Sequence, residues 1–462
     1  MEDLPFLAEK LSMLDRMIEE HERARRIEII GHVREISGLC VVVAGLKTFI
    51  TVGDRVELKA RSGEWILAEV VGFKEELARL MAFGSLDGIG PGADARIFYG
   101  READARGLAV SQNWLGRVLD PLGRPIDDKG PLAKTYAPVT PVRRDPPTPM
   151  ARARLGPRFD LGVRALDVFT TCRIDQRLGL FAGSGVGKSS LLSMLARYAA
   201  CDVTVIALVG ERGREVREFI EDDLGEEGLR RAVVVVATSD MPPLMRREAA
   251  YAATAIAEYF RDQGKSVFLL MDSVTRFCLA LREIGLSTGE PPATRGYPPS
   301  VFAELPRLLE RAGPGARIEN KEAGFITALF TVLVEGDDHN EPVADAVRGI
   351  LDGHVILERQ IAEGGRYPAI NILRSLSRSV PGCNNAEENN LTQRARAVMA
   401  NYDRMSDMIR LGAYKNGTDP EIDEAIGLVP KLNNFLKQGR HERSTLQEGF
   451  ETLRQIMNGE AS

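Results

Sequence analysis

This sequence of 462 residues lacks paired cysteines, long apolar runs and any strong excess of one charge. Its five cysteines, at 40, 172, 201, 278 and 383, make no Cys-x-x-Cys pair, and no histidine stands beside them at zinc-ligand spacing. That excludes a disulfide framework and a structural zinc site, and predicts reduced thiols in a cytosol. No apolar stretch approaches the roughly 20 residues that cross a bilayer, and Met1-Glu2-Asp3 lacks the basic start of a secretory leader. Membrane contact is therefore expected to be peripheral and through partners. With 60 Lys and Arg against 66 Asp and Glu, the net charge of −6 repels a nucleic acid overall. Aromatic residues make up only 6% of the chain.

The composition is that of a globular protein, 44% apolar and 27% charged, and at about 150 residues per domain the length suggests three units. Leu4, Leu7, Leu11, Leu14 and Ile18 step by three and four, which predicts an amphipathic helix ending near His21. It either packs on its own domain or docks a partner. From 27 to 99, short β-rich runs separated by Ser37-Gly38, Gly53-Asp54 and Ser62-Gly63 predict a small barrel. The expected strands are Ile27 to Ile30, Leu39 to Val43, Thr48 to Val52, Trp65 to Phe73 and Arg79 to Phe83, with Phe49, Trp65 and Phe73 at core positions. Prolines at 138, 141, 146, 147 and 149 make an extended connection. Beyond it, apolar runs at Leu178 to Phe181, Val203 to Val209, Val233 to Ala237, Val267 to Met271 and Phe325 to Val334 alternate with helical segments, the pattern of a mostly parallel sheet. After Pro381 strand signals stop, and residues 391 to 462 read as helices broken at Gly412, Gly417 and Pro430.

The chemistry concentrates at strand exits. Gly183-Ser184-Gly185-Val186-Gly187-Lys188-Ser189-Ser190 lies between a strand and the apolar helix Leu191 to Ala200, the setting of a phosphate-binding P-loop. Small residues let backbone amides surround phosphates, Lys188 neutralises them and Ser189 holds magnesium. Ala182 stands where the strict pattern has Gly, so the backbone there must stay in an ordinary region. Asp272 ends the run Val267 to Met271 and is assigned to the magnesium shell, although a strand ending in Asp can equally be a helix cap. Glu211, directly after the buried run Val203 to Val209 and Gly210, is placed to activate water, or else belongs to a surface ion cluster with Arg212, Arg214, Glu215, Arg217 and Glu218.

These motifs, in this order, resemble the catalytic subunits of rotary ATP synthases and the ATPases of type III protein export, and Leu115 to Pro125 is similar to the segment opening the nucleotide domain in that superfamily. Glu218 to Glu226, Pro291 to Gly313 and Glu335 to Gly353 look like the export branch, flagellar rather than injectisome by overall texture. The resemblance implies that Glu211 is the catalytic base, that Tyr367 stacks on adenine where it could otherwise be core, and that Arg378 is a finger inserted at a neighbour's γ-phosphate, with Arg374 as rival. Arg212 and Arg276 match arginines near the phosphates, or are structural pairs. It also implies ATP and Mg2+ as ligands and a homo-hexamer. The implied partners are a negative regulator at the N-terminal helix, a central stalk protein, export-gate membrane proteins and substrate–chaperone complexes, with no nucleic acid.

The expected fold class is thus an α/β P-loop (RecA-like) ATPase core with an N-terminal small β-barrel and a C-terminal α-helical domain. The boundaries are 1–24 for the amphipathic helix, 25–98 for the barrel, 99–380 for the ATPase domain and 381–462 for the helices. The protein would be cytoplasmic and peripheral at the inner face of the cell membrane. Competing readings are an injectisome ATPase, a synthase β-type subunit, a hexameric RNA helicase and a nucleotide-binding scaffold.

Overall fold

The computed structural model describes Met13, Met17 and residues 27–99, 107–133, 139–315, 324–334 and 341–459. The amphipathic stretch Leu4 to Ile18 lies, apart from Met13 and Met17, outside the described residues, as does Asp337-Asp338-His339. The chain divides into two compact units, Met1–Gly107 with Leu286–Glu290, and Leu108–Gly285 with Pro291–Ser462.

The first unit holds a closed barrel of β1 (Ile27–Ser37), β2 (Cys40–Ala44), β3 (Arg55–Lys59), β4 (Trp65–Lys74), β5 (Leu77–Ala82) and β6 (Asp94–Tyr99), in the order β1-β2-β5-β4-β3-β6. Closure removes the open edges that a sheet of this size would present. The sequence pattern missed β3 and β6. It also placed a strand over Thr48 to Val52, where the structure has a short 3-10 turn, Lys47–Phe49. The cause is local: Asp54 Oδ2 accepts from the Thr51 hydroxyl at 3.0 Å, and the Asp54 amide donates to the Thr51 carbonyl at 3.1 Å, a turn that competes with ladder pairing.

The aromatic residues are also displaced from the expected core. Phe49 and Phe73 are exposed, and the interior is aliphatic, built on Val33, Val41, Val43, Val56, Leu58, Val70 and Leu80. The Arg96 guanidinium lies 3.7 Å from the centre of the Trp65 ring while pairing with Glu57 at 2.7 Å and Glu28 at 3.2 Å. Aliphatic side chains fill so narrow a barrel, and Phe49 and Phe73 are left to its outer surface.

The second unit is built on an eight-stranded sheet of β7 (Arg117–Leu119), β8 (Arg177–Ala182), β9 (Val203–Glu211), β10 (Ala232–Thr238), β11 (Ser266–Asp272), β12 (Phe325–Leu333), β13 (Gly353–Leu357) and β14 (Leu376–Ser377). Its order is β14-β13-β8-β12-β11-β9-β10-β7, parallel throughout except for β14. Alternate residues of one strand face two different cores. In β9, Ile206 and Leu208 join one, and Val203, Val205, Ala207 and Val209 join the other. Burial on both faces explains why these strands read as continuous apolar runs. The short edge strands β7 and β14, and β13 beside the edge, carry little such signal.

Three C-terminal helices follow, Ala386–Arg410, Pro420–Leu436 and Leu446–Met457. They share one core with the sheet unit, where Ala395, Leu432, Phe450 and Leu453 pack with Leu166 and Phe169. The expected break at Pro430 does not occur, and the second helix runs through it. Pro430 faces solvent, so water can satisfy the freed carbonyl one turn back. Burial of Val429, Leu432, Phe435 and Leu436 offsets the roughly 3 kcal/mol that an interior proline costs.

Candidate nucleotide site

Parallel strands deliver their loops to one end of the sheet, and there the chain collects its charged residues. Ala182 is the last residue of β8, fully buried, with its carbonyl accepting from the Val334 amide at 3.1 Å; it needs no special backbone. The loop that follows turns into the helix Lys188–Tyr198, which begins at Gly187 with φ +86°. A side chain at Gly187 would be strained by that φ. Its Cβ would also sit 3.2 Å from two ring carbons of Tyr367, so the aromatic ring lies directly against the loop. Tyr367 is 44% exposed, so it is not locked in the core.

Lys188 points inward from the first turn of the helix. Its ammonium donates to Asp272 Oδ1 at 2.5 Å and to Glu211 Oε1 at 3.2 Å. The three side chains come from three elements that the sequence keeps far apart, and all three are nearly buried, at 13%, 7% and 14% exposed. Sheet order explains the meeting: β12 and β11 separate β8 from β9, and the lysine spans them above the strand ends. Burial opposes the lysine charge, but the two carboxylates more than restore it and raise its pKa. Burial and then the neighbouring Asp272 carboxylate raise the pKa of Glu211, with Lys188 and Arg276 pulling in the other direction. A buried carboxyl with a raised pKa, at a strand end beside a phosphate-binding loop, is a candidate proton acceptor.

Arg276 joins this cluster. Its alkyl stem packs within 3 Å of where a Cβ would stand on Gly210, whose φ is +71°. Arg212 does not join it, contrary to the expectation that placed it near the phosphates. Its guanidinium is 81% exposed and pairs with Glu215 at 3.3 Å on a surface helix, because β9 ends at Glu211 and the next residue turns outward.

Arg378 lies at the other end of the sheet. β14 pairs antiparallel with the start of β13, Gly353 opposite Ser377, and the Arg378 amide donates to Asp352 at 2.9 Å. The P-loop flanks the far end of β13, where Ala182 stands beside Leu357. The four residue steps from Gly353 to Leu357 correspond to about 13 Å of strand rise. Arg378 is exposed, with its guanidinium 3.4 Å from the Arg348 carbonyl, and is not gathered with Lys188. Arg374, the rival, pairs with Glu358 at 3.5 Å.

Sequence reasoning missed three further residues. Arg359, just past β13, donates to the Ser184 carbonyl of the P-loop at 3.2 Å. The Gln438 amide donates to the Tyr367 carbonyl at 2.9 Å, and its buried side chain bonds Gly162 at 2.9 Å and the Arg164 amide at 2.9 Å, fixing the segment that carries the ring. Thr331 donates to Asp272 at 2.6 Å. Thr331 sits inside an apolar run and gives no signal in one dimension.

The residues fit a magnesium ion. Asp272 Oδ2 accepts no hydrogen bond from the described residues, and the exposed Ser189 hydroxyl makes none with them. No group of three or more His, Cys, Asp or Glu among the described residues could hold a metal by itself. One carboxylate and one hydroxyl suit an ion that keeps its waters and shares a nucleotide's phosphates.

A strand, a glycine-rich turn, a helix-borne lysine and two carboxylates on neighbouring strand ends define the class: a P-loop nucleotide-binding protein on a mostly parallel sheet. The family model for the ATP synthase alpha/beta family, nucleotide-binding domain, matches residues 162–377. That family's beta-barrel domain matches 28–96, and the T3SS EscN ATPase C-terminal domain matches 384–455. The flagellum-specific ATP synthase of Caulobacter vibrioides is 54% identical, covering 95% of this chain and 98% of the relative. The type 3 secretion system ATPase of Xanthomonas euvesicatoria is 47% identical over 92% and 93%. Among solved structures, the assembled ATPase EscN of enteropathogenic E. coli in complex with its central stalk EscO is 40% identical, with a TM-score of 0.81 over 92% of this chain and 99% of that one. The chain belongs to the ATP synthase alpha/beta family, in the branch of flagellum-specific ATP synthases and type III secretion ATPases.

Proposed function

We propose that this chain hydrolyses ATP with magnesium as a homo-hexameric ring and energises type III protein export, of flagellar components in particular. The observation that carries this is the Lys188 ammonium bridging Asp272 and Glu211 at the mouth of the P-loop. When nucleotide enters, Lys188 exchanges its carboxylate partners for phosphate oxygens, and the amides of Gly183 to Ser190 and the helix N-terminus surround the remaining charge. Asp272 and Ser189 hold Mg2+, which when bound neutralises charge developing on the phosphates. Glu211, released from Lys188, orients and deprotonates the attacking water. Tyr367 offers its ring face to the adenine.

Arg378 completes the site of the neighbouring subunit. It is exposed, and it lies at the strand end remote from the Lys188 of its own chain, so it can serve only a site on another copy. The assembled EscN supports a ring, and its complex with EscO supports a central stalk partner. By the same reading a regulator binds residues 1–24. Export-gate proteins and substrate–chaperone complexes meet the ring, which works at the inner face of the cell membrane. The assignment to flagellar export rests on the greater identity to the flagellum-specific relative than to the secretion ATPase.

The test is magnesium-dependent ATP hydrolysis per subunit as protein concentration rises, for wild type, Arg378→Ala, Glu211→Gln and a mixture of the two variants. Specific activity should climb with concentration, and the mixture should regain part of the activity that each variant lacks. A flat concentration profile with no regain would remove the shared site.

A further inference from the structure

We propose that Thr331 is a positioning residue for magnesium: its hydroxyl, bonded to Asp272 Oδ1, holds that carboxylate so that the other oxygen faces the metal. This rests on the reading of Asp272 as the metal-holding carboxylate.

Thr331 lies on β12, between the P-loop strand β8 and the Asp272 strand β11, and stands opposite Leu180 of β8. It is fully buried. Its hydroxyl has one proton and two acceptors in reach, Asp272 Oδ1 at 2.6 Å and the Met271 carbonyl at 3.3 Å. A single proton serves one acceptor well, and a short bond to a charged oxygen is the stronger of the two. The hydroxyl therefore belongs to the carboxylate, and the carbonyl is the weaker alternative.

Lys188 donates to the same oxygen, Oδ1, at 2.5 Å. As described, Asp272 is held from two sides on Oδ1, while Oδ2 receives nothing from the described residues. The two donors differ in what happens next. Lys188 is a long, flexible ammonium that turns to the phosphates when nucleotide arrives. Thr331 is a short, β-branched side chain with a stiff χ1, fixed in a central strand, and has nowhere else to go. Once the lysine departs, the hydroxyl is the remaining donor on Oδ1 and keeps the carboxylate plane turned toward the metal. Removal of such an outer hydrogen bond typically weakens metal binding by about 10–100-fold.

The test uses the full chain and a fluorescent ATP analogue, whose binding is titrated against free Mg2+ and, separately, measured in EDTA. Thr331→Val keeps the shape and the β-branching and removes the hydroxyl; Thr331→Ser keeps the hydroxyl. Thr331→Val should raise the Mg2+ concentration for half-maximal analogue binding by roughly ten-fold. Its affinity in EDTA should stay within about two-fold of wild type, and Thr331→Ser should restore the Mg2+ midpoint. Mn2+ binding to the protein–nucleotide complex, followed by electron paramagnetic resonance, should weaken in parallel. An unchanged Mg2+ midpoint in Thr331→Val overturns the inference, as does an equal loss in the Val and Ser variants, which would mark a packing role. Asp272→Asn separates the two readings. If it abolishes the Mg2+ dependence while Thr331→Val does not alter it, only the role of Thr331 falls. If Asp272→Asn leaves the dependence intact, the assignment of the metal to Asp272 falls.

Discussion

The two ends of the central sheet are built from the same strands and do opposite work. At the carboxyl end, Lys188, Glu211, Asp272 and Thr331 converge within hydrogen-bond distance, nearly sealed from water. At the amino end of β13, Arg378 stands exposed directly after a two-residue edge strand. A buried cluster of opposite charges satisfies itself and can wait for nucleotide with the pKa values of Lys188 and Glu211 already raised. A solvent-facing arginine gains little where it is and is free to be desolvated by a second copy. If Arg378 completes a neighbour's site, as we propose, one chain carries both halves of a shared site without closing either on itself.

The sharpest way to break this comparison is Arg378→Ala. If the arginine serves a neighbour's phosphates, hydrolysis per subunit falls by about 10³-fold or more, with nucleotide binding by the isolated chain unchanged. Glu211→Gln should lower turnover by about 10²–10⁴-fold while leaving analogue binding in place, because the amide cannot accept the water's proton. Binding lost together with turnover would mean that Glu211 acts on the nucleotide instead.

The electrostatics of the carboxyl end give a pH prediction. Burial and the Asp272 charge raise the Glu211 pKa, so its protonated, inactive form persists to higher pH than for an ordinary carboxyl. Activity should therefore decline as pH falls through that raised value, and the acidic limb of the profile should lie above about pH 4.5. Lys188, whose pKa is also raised, stays charged through the same window. Arg276→Gln removes a cation that lowers the Glu211 pKa, and should move the limb further upward. A limb unmoved by this change would detach it from Glu211.

Smaller effects are expected at the margins of the site. Tyr367→Ala should raise KM for ATP by roughly ten-fold with little change in kcat, since a stacked base is worth about 1–3 kcal/mol. Arg212→Ala should change activity by less than about two-fold, because the pair it makes with Glu215 is a surface one.

The P-loop, the apolar strands around it and the helical end of the chain were legible in the sequence because each is a local signal. A phosphate loop needs small residues, a lysine and a following helix in one continuous stretch. Strands buried on both faces need continuous apolar runs, as β9 to β11 have. The parts that were not legible depend on partners distant in the chain. Barrel strands β3 and β6 are held by pairing across the closed sheet, and Phe49 and Phe73 are turned outward because aliphatic side chains already fill the interior. Pro430 survives inside a helix because it faces solvent itself while the neighbouring residues are buried.

Sequence alone determined that this chain would grip phosphate, since the backbone amides and the lysine of a P-loop are fixed by residue type and spacing. Tertiary structure decided which carboxylates face that lysine, that Thr331 stands between the strands to hold one of them, and that Arg212 turns away while Arg378 lies at the opposite end. Strand order within the sheet sets those distances, and strand order follows from which apolar faces bury one another, a property no local stretch of sequence records.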